Sequence, residues 1–271
     1  MATSAAHPQP AAAHAAEPLP PLSRLNSVLL LLRFGTIMAV ALAAATLPTS
    51  SLFVVRSVQV RGTAHIPAGE VAALAGLRRG DRLFSIPASE IVARVRRHPR
   101  IARAAVRVGR GGQIVIRVAE RIPYAAFLFE GRYLILDRSG VVIDDRPSAG
   151  TLPVVSAAGF APQWARLGDR LPVGGVERAL AALGRLPAGV VVPGTRLRVE
   201  SLGDLVLFTP DGIAVRLGPL RGLEERAALM PEILAAVRTR GFVVEYLDLR
   251  FAGNVVMKPA PGPAAGEAGG R

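Results

Sequence analysis

Residues 34–55 read FGTIMAVALAAATLPTSSLFVV, a run of 22 without a charge, closed by Arg33 on one side and Arg56 on the other. A run this long matches the ~20 helical residues that cross a hydrocarbon core about 30 Å thick. Thr46, Pro48, Thr49, Ser50 and Ser51 cluster toward its far end, which places the span at residues 28–53. Arg33 then lies within snorkelling reach of one interface, and Pro48 near the other, where a freed carbonyl meets water. Two further readings of the run stand beside this one. A helix apolar all round can be the centre of a large soluble domain, although only 33 residues precede this one. The Ala43-Ala44-Ala45 triplet fits a small-x-small signal-peptide cleavage site, although the apolar run continues past it.

Charge counting leaves the orientation open, because Arg24 and Arg33 precede the span and Arg56 and Arg61 follow it. Long following domains translocate whatever their charge. The expectation is therefore a single-pass protein with its N-terminal tail in the cytoplasm and the rest outside it. Residues 1–27 hold mostly Ala, Pro and His ahead of the span and read as a disordered tail, as do residues 259–271.

About 215 of the 271 residues follow the span, room for one or two modest domains with their own cores. The absence of cysteine excludes disulfides and thiolate metal sites. A net charge of +13 raises nucleic acid as a partner, but the arginines alternate with apolar residues, as in Val106-Arg107-Val108, Ile116-Arg117-Val118 and Leu197-Arg198-Val199. Alternation puts them on the solvent face of half-buried strands, so nucleic acid is not expected as a partner. Attraction to anionic lipid headgroups beside the span, about 1 kcal/mol per nearby basic residue, would be a by-product.

Directly after the span the period changes to two over residues 54–61, ending at Gly62, which predicts a strand. Pro67 opens a short helix to Ala75, stopped by Gly76, and a second follows Pro87 and ends before His98-Pro99. Strands are predicted at 101–108 and 113–120, joined by Gly109-Arg110-Gly111-Gly112, whose glycines supply the positive φ of a tight turn. The order is strand, helix, helix, strand, strand: a small sheet with two helices on one face.

These residues resemble a family. Val58-Gln59-Val60-Arg61-Gly62, Leu83-Phe84-Ser85-Ile86, His98-Pro99-Arg100-Ile101 and Val118-Ala119-Glu120-Arg121-Ile122-Pro123, in this order after one span, are similar to a POTRA domain of the FtsQ/DivIB type. Further on, strands are predicted at 125–130, 133–136, 141–143, 197–200, 205–209, 213–217, 243–250 and 254–257, with helices at 176–186 and 220–239 and many breaks over 144–174. The block Glu245-Tyr246-Leu247-Asp248-Leu249-Arg250-Phe251-Ala252-Gly253-Asn254-Val255-Val256 resembles the end of the FtsQ β-domain. The resemblance implies an α+β fold: a transmembrane helix, a POTRA domain over 54–122 and a strand-rich mixed β-domain with flanking helices over 123–258.

It also implies a role. Such a protein is a bitopic, non-enzymatic scaffold of bacterial cell division at the inner membrane and division septum, recruiting other septal membrane proteins. Its main partner would be the FtsB/FtsL (DivIC/FtsL) coiled-coil pair, engaged at the last strand by Arg250, Phe251, Gly253, Val255 and Val256. Phe251 stands where Tyr is more usual, and no Trp follows in the closing strand.

No constellation for chemistry survives inspection. His7, His14, His65 and His98 lack metal-ligand spacing, and there is no Gly-x-Ser-x-Gly elbow, phosphate loop or dinucleotide fingerprint. No cofactor, metal or small-molecule substrate is expected. Asp137, Asp144, Asp145 and Asp211 stand at turns, where they cap backbone, and Asp248 and Arg250 share a strand face as a local ion pair. What remains is sheet edges, to which another chain can add a strand. A POTRA-containing protein of outer-membrane assembly or secretion is the rival; it needs a barrel or tandem modules, for which about 135 residues after one module leave no room.

Overall fold

The computed structural model describes residues 22–46, 54–82, 87–159, 165–171, 174–251 and 254–260, with α1 side chains described over 27–42. The chain divides into two compact units, 1–54 and 55–271. The first holds α1 (Leu22–Thr46), which starts earlier than the expected span, whose last residues, 47–53, lie outside the described ones. Every side chain from 27 to 42 is exposed. Thr36 donates its hydroxyl to the Leu32 carbonyl at 2.8 Å, which satisfies a polar group on an apolar surface. Among the described residues no helix is long and apolar enough to cross a membrane.

The second unit opens with β1 (Ser57–Arg61), α2 (Ala68–Ala75), α3 (Ala88–Val95), β2 (Ile101–Val108) and β3 (Gln113–Glu120). These are the expected elements, although Leu83-Phe84-Ser85-Ile86 lies outside the described residues. The sheet order is β1-β3-β2, with β1 parallel and β2 antiparallel to β3. The turn between β2 and β3 holds Gly111 at φ 67° and Gly112 at φ 78°. Alternate residues Ile114, Ile116 and Val118 of β3 meet Ile91 and Val95 of α3 and Val71 and Ala75 of α2 in one core. Opposite them, Arg117 faces solvent.

Glu120 fixes the loop after β1. Its carboxylate accepts the N–H groups of Ala64 at 2.7 Å and of His65 and Ile66 at 3.1 Å. Burial would raise its pKa, but those backbone donors and the His65 ring outweigh it and hold it at about 2. His98 is also structural: its Nδ1 accepts the Arg100 N–H at 3.2 Å and its Nε2 lies 3.2 Å from Glu70.

A nine-stranded mixed sheet follows, built from β4 (Ala125–Phe129), β5 (Arg132–Leu136), β6 (Val142–Arg146), β7 (Val154–Ala157), β8 (Arg196–Val199), β9 (Leu205–Phe208), β10 (Ala214–Gly218), β11 (Val244–Asp248) and β12 (Val256–Pro259). Its order is β12-β11-β10-β9-β8-β7-β4-β5-β6. The parallel pairs β7–β8 and β10–β11 need crossovers. These are α4 (Gly174–Leu183) for the first, and α5 (Leu223–Ala228) with α6 (Met230–Thr239) for the second. Leu180, Leu183, Leu223, Met230, Leu234 and Val237 of the helices bury against Leu197, Leu205, Leu207, Val215 and Leu247 of the sheet.

Two expectations are corrected here. Asp144 and Asp145, expected at a turn, instead lie within β6, where Asp144 pairs with Arg100 and Arg146 and Asp145 with Arg132. Residues 220–239 form two helices, broken at Leu229, because Pro231 has no N–H to give and its ring crowds the preceding turn. The two sheets are also tied together. Arg121 donates to Asp137 at 2.6 Å, Arg100 pairs with Asp144, and Pro99 packs beside Gly168. Asp137 in turn accepts from Ser139 and Val141 backbone N–H groups, so its turn-capping role and its link to Arg121 coincide.

Candidate docking edge

The sheet ends at β12, which pairs on one side with β11 and on the other with nothing among the described residues. Every residue of β12 is exposed, whereas Val244, Leu247 and Asp248 of β11 are buried. Ala260 donates its N–H to Val243 at 2.9 Å. Counting back by the two-residue period directs the N–H groups of Lys258 and Val256 toward β11, and those of Met257 and Val255 toward the free side. Pro259 falls at the next outward position and offers no N–H, so the free edge is blunted there and open at 255–257. Lys258 pairs with Glu245 at 2.7 Å on the same hairpin.

The turn leading into β12 is clamped by Asp248 and Arg250. Asp248, with a side chain only 4% exposed, accepts the Arg250 backbone N–H at 3.0 Å, Nε at 3.0 Å and Nη2 at 2.7 Å. The Arg250 hydrogen bonds, outweighing burial, hold the Asp248 carboxyl below its usual range. A second carboxylate, Asp204, lies 3.7 Å from Arg250 Nη1. Gly218 at φ +73° lets the Arg250 stem cross close above it.

Phe251 is 56% exposed, and the Arg250 guanidinium carbon sits 5.9 Å from its ring centroid. A notch of about 120 Å³ opens beside it, lined by Arg226, Leu229, Leu249, Phe251, Asn254 and Val255 among others. Arg226 is positioned from below, its Nε donating to the Leu217 carbonyl at 2.7 Å and Nη2 to that of Pro219.

Arg250, Phe251, Val255 and Val256 are thus brought to one edge, while Gly253 lies outside the described residues. Asp204, Gly218, Arg226, Leu229 and Met257 join them, beyond the residues that the sequence predicts. Leu229 stands at the break between α5 and α6, off the face that buries Leu223, Met230, Leu234 and Val237, and is exposed. Among the described residues no group of three or more His, Cys, Asp or Glu could hold a metal ion.

Two family descriptions match the chain. "POTRA domain, FtsQ-type" covers residues 53–121, and "Cell division protein FtsQ/DivIB, C-terminal" covers 126–250. The chain is similar to the cell division protein FtsQ of Anaeromyxobacter sp., 32% identical over 74% of this chain and 68% of that one. It is also similar to the FtsQ of Syntrophotalea carbinolica, 27% identical over 91% and 88%, and to that of Streptomyces bingchenggensis, 30% identical over 69% of each. With both halves of the folded unit matched in order, and relatives covered over most of their length, the chain belongs to the FtsQ/DivIB family of cell division proteins.

Proposed function

We propose that this protein is a non-enzymatic scaffold of the division septum, anchored in the cell membrane by α1 with its N-terminus in the cytoplasm. Its folded unit recruits partner membrane proteins by taking a strand onto β12. The observation that carries the reading is the open edge at 255–257 beside the Leu229–Phe251 notch. For the anchor, support comes from α1, where Arg33 is the one charge among the described side chains and all of them are exposed.

Magnitudes decide what the partner must bring. About three or four backbone hydrogen bonds at about 1 kcal/mol net each amount to ~4 kcal/mol, which is millimolar affinity. A micromolar complex needs about 8 kcal/mol, so apolar side chains of the partner must also fill the notch and cover Phe251, Val255 and Met257. Anchorage in one membrane then raises effective concentration. The family resemblance names the FtsB/FtsL-type pair as this partner.

A fluorescent fusion of the full chain in dividing cells, combined with protease added outside spheroplasts, tests the reading. A mid-cell band and digestion of residues beyond α1 are expected. An even envelope signal, or protection of the folded unit, contradicts it.

A further inference from the structure

The chain's positive charge is concentrated in one place. Residues 54–123 hold fourteen arginines against four acids, a net of +10, whereas residues 124–271 hold seventeen basic residues against fifteen acids, a net of +2. The four acids are all engaged internally: Glu70 with His98, Glu90 with Arg94, Asp81 on the Arg78 N–H, and Glu120 on the 64–66 backbone. None remains to balance the outer surface.

Register places four of those fourteen arginines on one face. Arg61 stands directly opposite Arg117, Arg117 opposite Ala105, and Arg103 and Arg107 flank Ala105 on its strand. The remaining residues of this face are Ser57, Gln59, Gln113, Val115 and Ala119, so no acidic side chain shares it. Among the described residues Arg61, Arg103, Arg107 and Arg117 have no acidic partner, and all four are exposed. Like charges directly opposed across strands destabilise a sheet, and an anion lying between them reverses the sign of that term. An open groove of about 450 Å³ at the β2 margin is lined by Arg96 as well as Arg103 and Arg117.

We propose that the open face of the β1-β3-β2 sheet docks onto anionic phospholipid headgroups. The proposal rests on the reading of α1 as a membrane anchor and adds to it a second, electrostatic contact. Chain continuity selects lipid as the occupant: β1 begins eleven residues after the end of α1, at most about 40 Å of extended chain, so the basic face is tethered within reach of the headgroups. Guanidinium forks match phosphate oxygens two at a time. The nearly neutral nine-stranded sheet, with its docking edge, is left free of the surface attraction.

The absence of cysteine allows a direct test. Full-length Ala105→Cys carries a fluorophore, and the chain is reconstituted into vesicles containing headgroup spin-labelled lipid as quencher. Quenching is expected to rise about twofold or more when about one-third of the phosphatidylcholine is replaced by phosphatidylglycerol. The rise should vanish in about 0.5 M salt and in a variant carrying Arg103→Gln, Arg107→Gln and Arg117→Gln. A label at Ser201→Cys, in the turn between β8 and β9 of the nine-stranded sheet, should not respond. Equal quenching in both lipids, or an equal rise at both labels, overturns the proposal. A spectral shift with polyglutamate but none with phosphatidylglycerol assigns the face to an acidic polypeptide instead and also overturns it. Salt-resistant flotation with pure phosphatidylcholine vesicles reports on α1 alone, so failure of the anchor is read separately from failure of the basic face.

Discussion

Gly218 lies directly beneath Arg250: a Cβ placed on Gly218, at φ +73°, would stand 2.9 Å from Arg250 Cγ. Gly218→Ala therefore strains the backbone by about 1–2 kcal/mol and pushes the Arg250 stem off the sheet. Urea unfolding should register that loss of stability, and affinity for the partner pair should fall with it, because the turn carrying Phe251 is held through Arg250.

Asp248→Asn removes the charge that holds Arg250 while keeping the shape. Arg250 is 38% exposed and can turn to water, so the stability cost is expected at about 1–2 kcal/mol and not that of a stranded buried charge. The Asp248 carboxyl is held below its usual range, so its contribution is complete above pH ~4 and is lost as pH falls through the lowered value. The difference between wild type and variant should be level from about pH 5 to 8 and close in acid; a difference that grew in acid would contradict the assignment.

Glu120 gives a pH signature on the smaller sheet. Its folded pKa of about 2 lies below the unfolded value of 4.5, so the folded state binds fewer protons. Its stabilisation is full above about 4.5 and disappears as pH drops to about 2, with an upper bound of about 3 kcal/mol. Glu120→Gln should lower thermal stability at neutral pH and converge with wild type near pH 2.

Leu229 is 44% exposed and lines the notch without belonging to the core. Leu229→Asp should leave the free energy of urea unfolding within about 0.5 kcal/mol of wild type and weaken capture of the partner pair about tenfold or more, as expected of a desolvated anchor position. An unaltered affinity would remove the notch from the interface.

Much of this fold was legible because its signals are local. Alternation of Ile114, Ile116 and Val118 with Arg117, and the prolines ahead of α2 and α3, predict the order of the first five elements of the folded unit, with boundaries within about three residues. The spacing of Asp248 and Arg250 predicts their pair as neighbours on a strand face, whereas β11 stops at Asp248 and the pair closes the turn that follows. What escaped depends on distance in sequence: Arg100 meets Asp144 and Arg121 meets Asp137 only after two sheets have folded, and Gly218 meets Arg250 only when β10 pairs with β11. The apolar spacing of Met230, Ile233, Leu234 and Val237 predicts one helix where Pro231 makes two. The ten-charge excess of residues 54–123 is plain in the sequence, but that Arg61, Arg103, Arg107 and Arg117 share a face depends on the register.

Proline replacement along β12 tests strand addition most directly, measured as capture of the FtsB/FtsL-type pair by the full-length chain. Met257→Pro and Val255→Pro delete outward N–H groups, leaving those directed at β11 in place, and should abolish capture while the unfolding midpoint stays unchanged. Undiminished capture by both proline variants would contradict the account.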